Sequence, residues 1–338
     1  MAGFQVSING RFWVSTEVQD RRNQLVALDT FFSAIHPEES LCFFYAKRTP
    51  LSEESRRVII GVGTVLAVGA PVEYVREMDK LMKKTKGATG KSQLKSILDN
   101  VSIARKNSWP MCQDTGVVAF MVKLGDKFPI RSELEEILTR ATKRATEEIP
   151  IRPNAVDMLR GNSNDNTGAH VPIIYWELVP GNQLEIIAMP KGGGSTNVAN
   201  HRMLKPGLGM KGVKQFVVEA VAAAGSQGCP PYFVGVGIGA SEDMCMVLAK
   251  KALLKPFKVR NSDPKLAAIE QELLEKVNEL GIGAMGLGEG PTALDLHIEM
   301  AARHPASLPV GIVISCWALR HAKATIGPRG GVKIDRSA

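Results

Sequence analysis

No stretch of the 338-residue sequence is apolar enough over a sufficient length to cross a bilayer, and Met1-Ala2-Gly3-Phe4-Gln5 does not open a signal peptide. The expected compartment is therefore the cytoplasm. Aromatic residues make up only 6% of the chain, and none interrupts the densest basic run, Lys80, Lys83, Lys84, Lys86, Lys91 and Lys95. Basic patches without stacking residues are a weak nucleic-acid signal, so nucleic acid is not an expected partner. Cysteine is scarce. Five cysteines, an odd number in a long chain, do not make a disulfide framework, and no Cys-x-x-Cys pair supplies the usual zinc pattern. Repeats and long low-complexity tracts are also missing. A solvated lysine-rich surface accounts for the net charge of +8, and a site for an anionic substrate, where a positive field speeds encounter, is the second explanation.

What is present reads as an α+β protein, with mixed or antiparallel sheets and packed helices, preceded by a small β-rich segment. Residues 1–78 form that segment. Phe12-Trp13-Val14 and Leu41–Tyr45 read as strands around a helix near Asn23–Ile35, and Val58–Gly69 reads as a glycine-punctuated strand. Residues 79–338 form the second domain. Lys83–Lys91 reads as a linker, and Leu94, Ile97, Leu98 and Val101 recur at helical spacing after it. Val117–Leu124 is a predicted strand, and Ser132–Glu148 a helix with Ser132 and Glu135 in capping-box spacing. Val171–Val179 and Leu184–Met189 read as a hairpin through Pro180-Gly181-Asn182. Helices are expected at Val213–Ala224, Ser241–Leu254, Pro264–Leu280 and Thr292–Ala302. Strands are expected at Tyr232–Ile238 and, as the last, Val310–Ser315.

The chemistry concentrates on loops beside strands. Pro110-Met111-Cys112-Gln113-Asp114-Thr115-Gly116 sets a soft thiol, an amide, a carboxylate and a hydroxyl side by side. Cys229 in Gly228-Cys229-Pro230-Pro231 and Cys316 in Ser315-Cys316-Trp317 also flank strands, whereas Cys42 and Cys245 sit in apolar stretches that suit a core. Three isolated cysteines fit a four-iron cluster with one iron free of protein thiolate, which could act as a Lewis acid. Three ordinary buried cysteines would show the same spacing, so that alternative stays open here. Pro190-Lys191-Gly192-Gly193-Gly194-Ser195 exposes backbone N–H groups for an anion, but it lacks the nucleotide-loop pattern. Asn162–Gly168 is dense in hydrogen-bonding groups and is also compatible with a plain turn. Arg152 suits bidentate pairing with a carboxylate, and His304, shortly before Cys316, suits proton transfer.

In this order the motifs resemble the iron–sulfur hydro-lyase family of class I fumarate hydratase and L-tartrate dehydratase, in its α subunit or N-terminal catalytic half. The resemblance covers about residues 80–325 and rests on the motifs at Cys112, Asp165–Gly168, Lys191–Ser195, Gly228–Pro231 with Val234–Gly237, and His304–Trp317. It implies a [4Fe-4S] cluster held by Cys112, Cys229 and Cys316. It implies substrate contacts from Gln113, Arg152, Gly193 and Gly194, and acid–base or active-site roles for Asp114 and His304. The loop Lys191–Asn197, together with Gly286-Leu287-Gly288 and Thr292–His297, resembles the fumarase form, so reversible hydration of fumarate to L-malate is the expected reaction. L-Tartrate dehydration to oxaloacetate is the alternative. The family's β half is not in this sequence, so the resemblance implies a separate β subunit and a hetero-oligomer acting on a small dicarboxylate. A competing class is a non-catalytic binding or assembly protein carrying a structural cluster.

Overall fold

The computed structural model describes residues 72–107, 109–148, 151–329 and 332–335. The strands and helix expected before residue 72, and Cys42, lie outside the described residues. The description opens on helix α1 (Val72–Lys84) and helix α2 (Ala88–Asn107). Tyr74 and Met78 lie one turn apart on α1 and are buried with Leu94, Ile97, Val101 and Ala104 of α2. The linker expected at Lys83–Lys91 is thus a short break between two helices, and α1 runs across residue 78, where the sequence reading divides the chain. Its signal was legible in Tyr74, Met78 and Leu81, spaced at four and three residues.

The chain continues through β1 (Val117–Gly125), α3 (Leu134–Glu148), the two-residue strands β2 (Val156–Asp157) and β3 (Gly161–Asn162), β4 (Ile173–Val179) and β5 (Leu184–Lys191). A one-turn helix α4 (Gly193–Asn197) leads to β6 (Asn200–Leu204), α5 (Gly209–Ala224), β7 (Tyr232–Ala240), α6 (Met244–Leu253) and α7 (Pro264–Glu279). β8 (Ala293–Arg303), β9 (Leu308–Ser315), β10 (Ala322–Ile326) and β11 (Val332–Asp335) complete the described elements. No described helix is long and apolar enough to cross a membrane.

Two larger sheets, ordered β11-β10-β5-β1-β4 and β6-β9-β7-β8, form beside the small β2–β3 pair, so the expected α+β class with mixed sheets is what the chain adopts. In the first, β5 is central, and β1 lies between β5 and the edge strand β4, antiparallel to β5 and parallel to β4. Phe120, Val122, Leu184, Ile186 and Ala188 bury one face against Leu134, Ile137, Leu138 and Ala141 of α3. In the second, side chains alternate across the sheet. Val234, Val236 and Ile238 join the core formed with α5 and α7, while Phe233 faces the core of α1, α2 and α6. Gly235 and Gly237 occupy the same face as Phe233, and a methyl group at Gly237 would land on the carbonyl oxygen of Cys245. Glycine here lets α6 lie directly on the sheet.

Four expectations are corrected. β4 and β5 do not form a hairpin, because β1 lies between them. Their connection instead crosses the end of β1, where Gly125 N and Lys127 N donate to the carbonyls of Gln183 and Gly181. The segment expected as a helix over Thr292–Ala302 is strand β8, whose apolar Leu294, Leu296, Ile298 and Met300 recur every second residue. β9 is not the last strand, since β10 and β11 follow and extend the first sheet. The expected capping box at Ser132 does not form: Ser132 Oγ donates to the neighbouring Glu133 carboxylate, and the helix starts at Leu134.

Candidate active site

Strand register brings the candidate groups together. β7 and β9 are antiparallel with Phe233 opposite Ser315, so the loop entering β7 and the loop leaving β9 emerge at the same end of the sheet. The first carries Cys229 and the second Cys316. In the other sheet Val117 pairs with Lys191, so the Cys112 loop entering β1 adjoins the triple-glycine loop leaving β5. Three cysteine motifs, 117 and 87 residues apart along the chain, become neighbours because each lies one to five positions beyond a paired strand end.

Hydrogen bonds then fix the loops to one another. Trp317 N donates to Cys229 O at 3.3 Å, joining the two cysteine loops of one sheet. Arg320 is almost fully buried and donates to Ala318 O (2.9 Å), Asp114 O (3.0 Å) and Thr115 O (3.3 Å), joining the Cys316 loop to the Cys112 loop of the other sheet. Lys191 makes a second bridge, with Nζ 2.7 Å from Ile314 O and 3.0 Å from Ser195 Oγ. On the outer side of the Cys112 loop, Asn100 Nδ2 donates to Met111 O at 2.8 Å. Met285 N donates to Pro230 O at 2.7 Å, which seats the turn before β8 against the Cys229 loop.

The polar candidates gather around Asp114. A methyl group at Gly192 would lie 2.8 Å from Asp114 Oδ2, and one at Gly193 would lie 3.8 Å from it, so the carboxylate sits over the triple-glycine backbone. Asn154 Nδ2 reaches Asp114 Oδ1 at 3.4 Å. Arg152 is held one residue away, its backbone N donating to Thr115 Oγ1 at 2.9 Å and its carbonyl accepting from Asn166 Nδ2 at 3.2 Å. Asn166 is 1% exposed and also accepts from Asn154 N, so the polar run at 162–168 is the buttress of the Arg152–Asn154 loop, beyond a simple turn. The Arg152 and Gln113 side chains are exposed, as are Gly193 and Gly194, which leaves them accessible to a small molecule.

The cysteines lie close enough to act on one another electrostatically. Burial, then the charges of Cys112 and Asp114, push the Cys229 thiol up. Burial, then Cys112, push Cys316 up to about 11, with Cys229 adding to the shift. The described cysteines are free, and among the described residues no three His, Cys, Asp or Glu side chains form a single-ion site. Thiols that titrate high when crowded together are deprotonated by binding a soft metal. A four-iron cluster accepts one thiolate at each of several irons, so three cysteines on three loops fit that group. Cys229 also has a left-handed backbone (φ 57°), an uncommon conformation for a residue with a β-carbon and one that clusters at functional sites.

His304 is not brought to this group. It lies in the β8–β9 turn, exposed, its Nδ1 accepting from Ala306 N. β9 separates it from Cys316 by eight strand residues, about 27 Å at the usual rise. The intervening residues are extended, so closeness in sequence does not become closeness in space within this chain. Arg320 is a residue that the motif reading left without a role at the site, and Lys191 was read only as completing an anion-binding loop. Each is a charged residue within a few positions of a motif, but only the register shows where the charge goes. Cys245 is fully buried within α6, as expected of a core residue.

The similarity of the chain to known proteins defines a hydro-lyase. A family model described as Fumarate hydratase (Fumerase) matches residues 63–325. A Methanocaldococcus jannaschii chain provisionally named L(+)-tartrate dehydratase subunit alpha is 45% identical over 271 residues, 78% of this chain and 95% of the relative. The L(+)-tartrate dehydratase subunit alpha of Escherichia coli K12 is 36% identical over 271 residues, 80% of this chain and 89% of the relative. The chain belongs to the fumarate hydratase family of iron–sulfur hydro-lyases, which includes these L(+)-tartrate dehydratase alpha subunits.

Proposed function

We propose that this chain is the α subunit of an iron–sulfur fumarate hydratase that interconverts fumarate and L-malate and works with a separate β subunit. The observation that carries the reading is the convergence of Cys112, Cys229 and Cys316 beside the triple-glycine loop. These three thiolates would hold a [4Fe-4S] cluster. When bound, the cluster supplies a Lewis acid that stabilises the leaving or attacking hydroxide. Gln113 and Arg152 bind and orient the dicarboxylate, with the Arg152 guanidinium suited to two parallel hydrogen bonds. The Gly193 and Gly194 backbone contributes further contacts. Asp114, over the glycine loop and within reach of Asn154, holds or moves a proton at the reacting carbons. The printed names of the relatives denote an α subunit, which supports a β partner that completes the site.

The same names favour a second reading, L-tartrate dehydration, because both relatives are named for it. The test is anaerobic purification of the tagged full chain from its native host with whatever chain accompanies it. Turnover of fumarate, malate and L-tartrate is then compared in the wild type and in Cys112→Ser, Cys229→Ser and Cys316→Ser. An oxygen-sensitive cluster spectrum lost in all three variants but kept in Cys42→Ser and Cys245→Ser, with fumarate preferred, is the expected outcome. A preference for tartrate would select the second reading. A cluster with no turnover of any dicarboxylate in the purified complex would leave a structural cluster and overturn both.

A further inference from the structure

We infer that Lys191 is a positioning residue that locks the triple-glycine loop to the cluster-bearing strand and supplies a buried positive charge beside it. Its position argues for this. Lys191 is the last residue of β5, paired with Val117 at the mouth of the Cys112 loop. Its side chain passes to the other sheet, where Nζ donates to Ile314 O, two residues before Cys316. The same ammonium donates to Ser195 Oγ, and Ser195 Oγ donates onward to Gly192 O at 3.2 Å. A continuous chain of hydrogen bonds thus runs from the β9 backbone through Lys191 to the first glycine of the loop.

Packing alone does not explain a lysine here. The residue is only 8% exposed, and an ammonium taken out of water is unfavourable unless it is paired and hydrogen-bonded. An apolar side chain of similar volume would fill the space without that penalty, but would leave Ile314 O and Ser195 Oγ without this donor. The charged neighbours are Cys316 and Asp114 on the favourable side and Lys250 on the unfavourable side. Lys250 is engaged elsewhere, at 2.7 Å from the Tyr175 hydroxyl. Burial, the largest influence, pushes the Lys191 ammonium down to about 8 while Cys316 and Asp114 hold it up, so an anionic cluster and a dianionic substrate would both strengthen the charged form. This part of the inference rests on the hydro-lyase reading; the loop-locking part does not.

Two measurements separate them. Hydrogen exchange of the metal-free full chain, read on peptides covering residues 192–197, is compared in the wild type, Lys191→Met, Lys191→Arg and Ser195→Ala. Locking requires at least tenfold faster exchange in Lys191→Met and a smaller increase in Ser195→Ala, with α3 peptides unchanged. Ser195→Ala keeps the test decisive if Lys191→Met fails to fold. On cluster-loaded protein, Lys191→Met is expected to shift the cluster reduction potential negative and raise KM more than it lowers kcat. Lys191→Arg is expected to hold the wild-type potential. Exchange unchanged in both Lys191→Met and Ser195→Ala would overturn the inference. Faster exchange in a chain whose wild type binds no cluster would uphold the locking role and remove the hydro-lyase reading instead.

Discussion

Gly116→Ala is the most exacting test of how the site is assembled. Gly116 has φ +77°, and a methyl group there would land on the Lys191 carbonyl, with Gly192 N close behind. Two penalties combine. A residue with a β-carbon in the left-handed region costs about 1–2 kcal/mol. Forcing a methyl into backbone that cannot swing aside costs about 1–3 kcal/mol more. The sum, about 2–5 kcal/mol, is a large share of the stability of a typical folded domain. The displacement also acts along the line joining the Cys112 loop to the triple-glycine loop, so cluster binding should suffer even where the chain stays folded. Urea unfolding of the metal-free protein and iron bound per chain after anaerobic reconstitution measure the two effects. Gly207→Ala is the control, because Gly207 has open space around its β position and no positive φ. It should change stability by less than about 0.5 kcal/mol. A Gly116→Ala protein as stable as the control, with full iron content, would mean that the two loops do not touch as described.

Two further outcomes follow from the buried charges. Arg320→Met removes the donor to the carbonyls of Ala318, Asp114 and Thr115, and should destabilise the fold by about 3–5 kcal/mol with a parallel loss of bound iron, measured by chemical denaturation and iron analysis. Stability within about 1 kcal/mol of wild type would show that the Cys112 and Cys316 loops are held by other means. His297 is 4% exposed, with Nε2 3.0 Å from Asp295 Oδ2 and Nδ1 3.8 Å from Glu270 Oε1, and Arg260 also faces both carboxylates. Burial alone would lower its pKa, but Asp295 and Glu270 prevail and raise it. A raised folded-state pKa stabilises the fold fully below the ordinary histidine value of about 6.5, and the contribution is lost as pH rises through the folded value. Stability of the metal-free chain should therefore fall from pH 6 toward pH 8, and His297→Asn should flatten that slope. A wild-type profile rising over that range would contradict the ion-pair reading.

Which features were legible follows from how each is encoded. The three cysteines, Asp114 and the triple-glycine loop were readable because each carries its chemistry in a few adjacent residues. Their convergence was not, because it depends on Phe233 facing Ser315 and Val117 facing Lys191, pairings that no local pattern announces. β8 was misread although its alternation was present. Ala, Leu, Glu and Met favour helices, and that propensity was allowed to outweigh a period of two. The β4–β5 pair failed for a different reason: a Pro-Gly-Asn turn looks the same whether the strands it joins are neighbours or flank a third. The buried cluster of Arg260, Glu270, Asp295 and His297 was invisible because its members come from separate segments of the chain that only the fold brings together.

The two sheets divide the work in a way that explains why buried charges sit between them. One sheet ends in the loops carrying Cys112, Asp114 and the glycines; the other ends in the loops carrying Cys229 and Cys316. Each sheet has its own apolar core, one centred on Phe120 and Leu138, the other on Val217 and Ile312, and a third cluster packs Met111 of the Cys112 loop with Val313, Trp317 and Leu319 around Cys316. Apolar contact is non-directional and tolerates a small slide. Arg320, on the β9–β10 connection that passes from one sheet to the other, and Lys191, at the end of β5, are directional, each fixing backbone oxygens of a segment beside its own. A site that must place three thiolates and a carboxylate within fractions of an ångström needs that directional link. The desolvation of two cations is then the counterpart of the precision obtained, and it is spent at the junction where slippage would separate the cysteines.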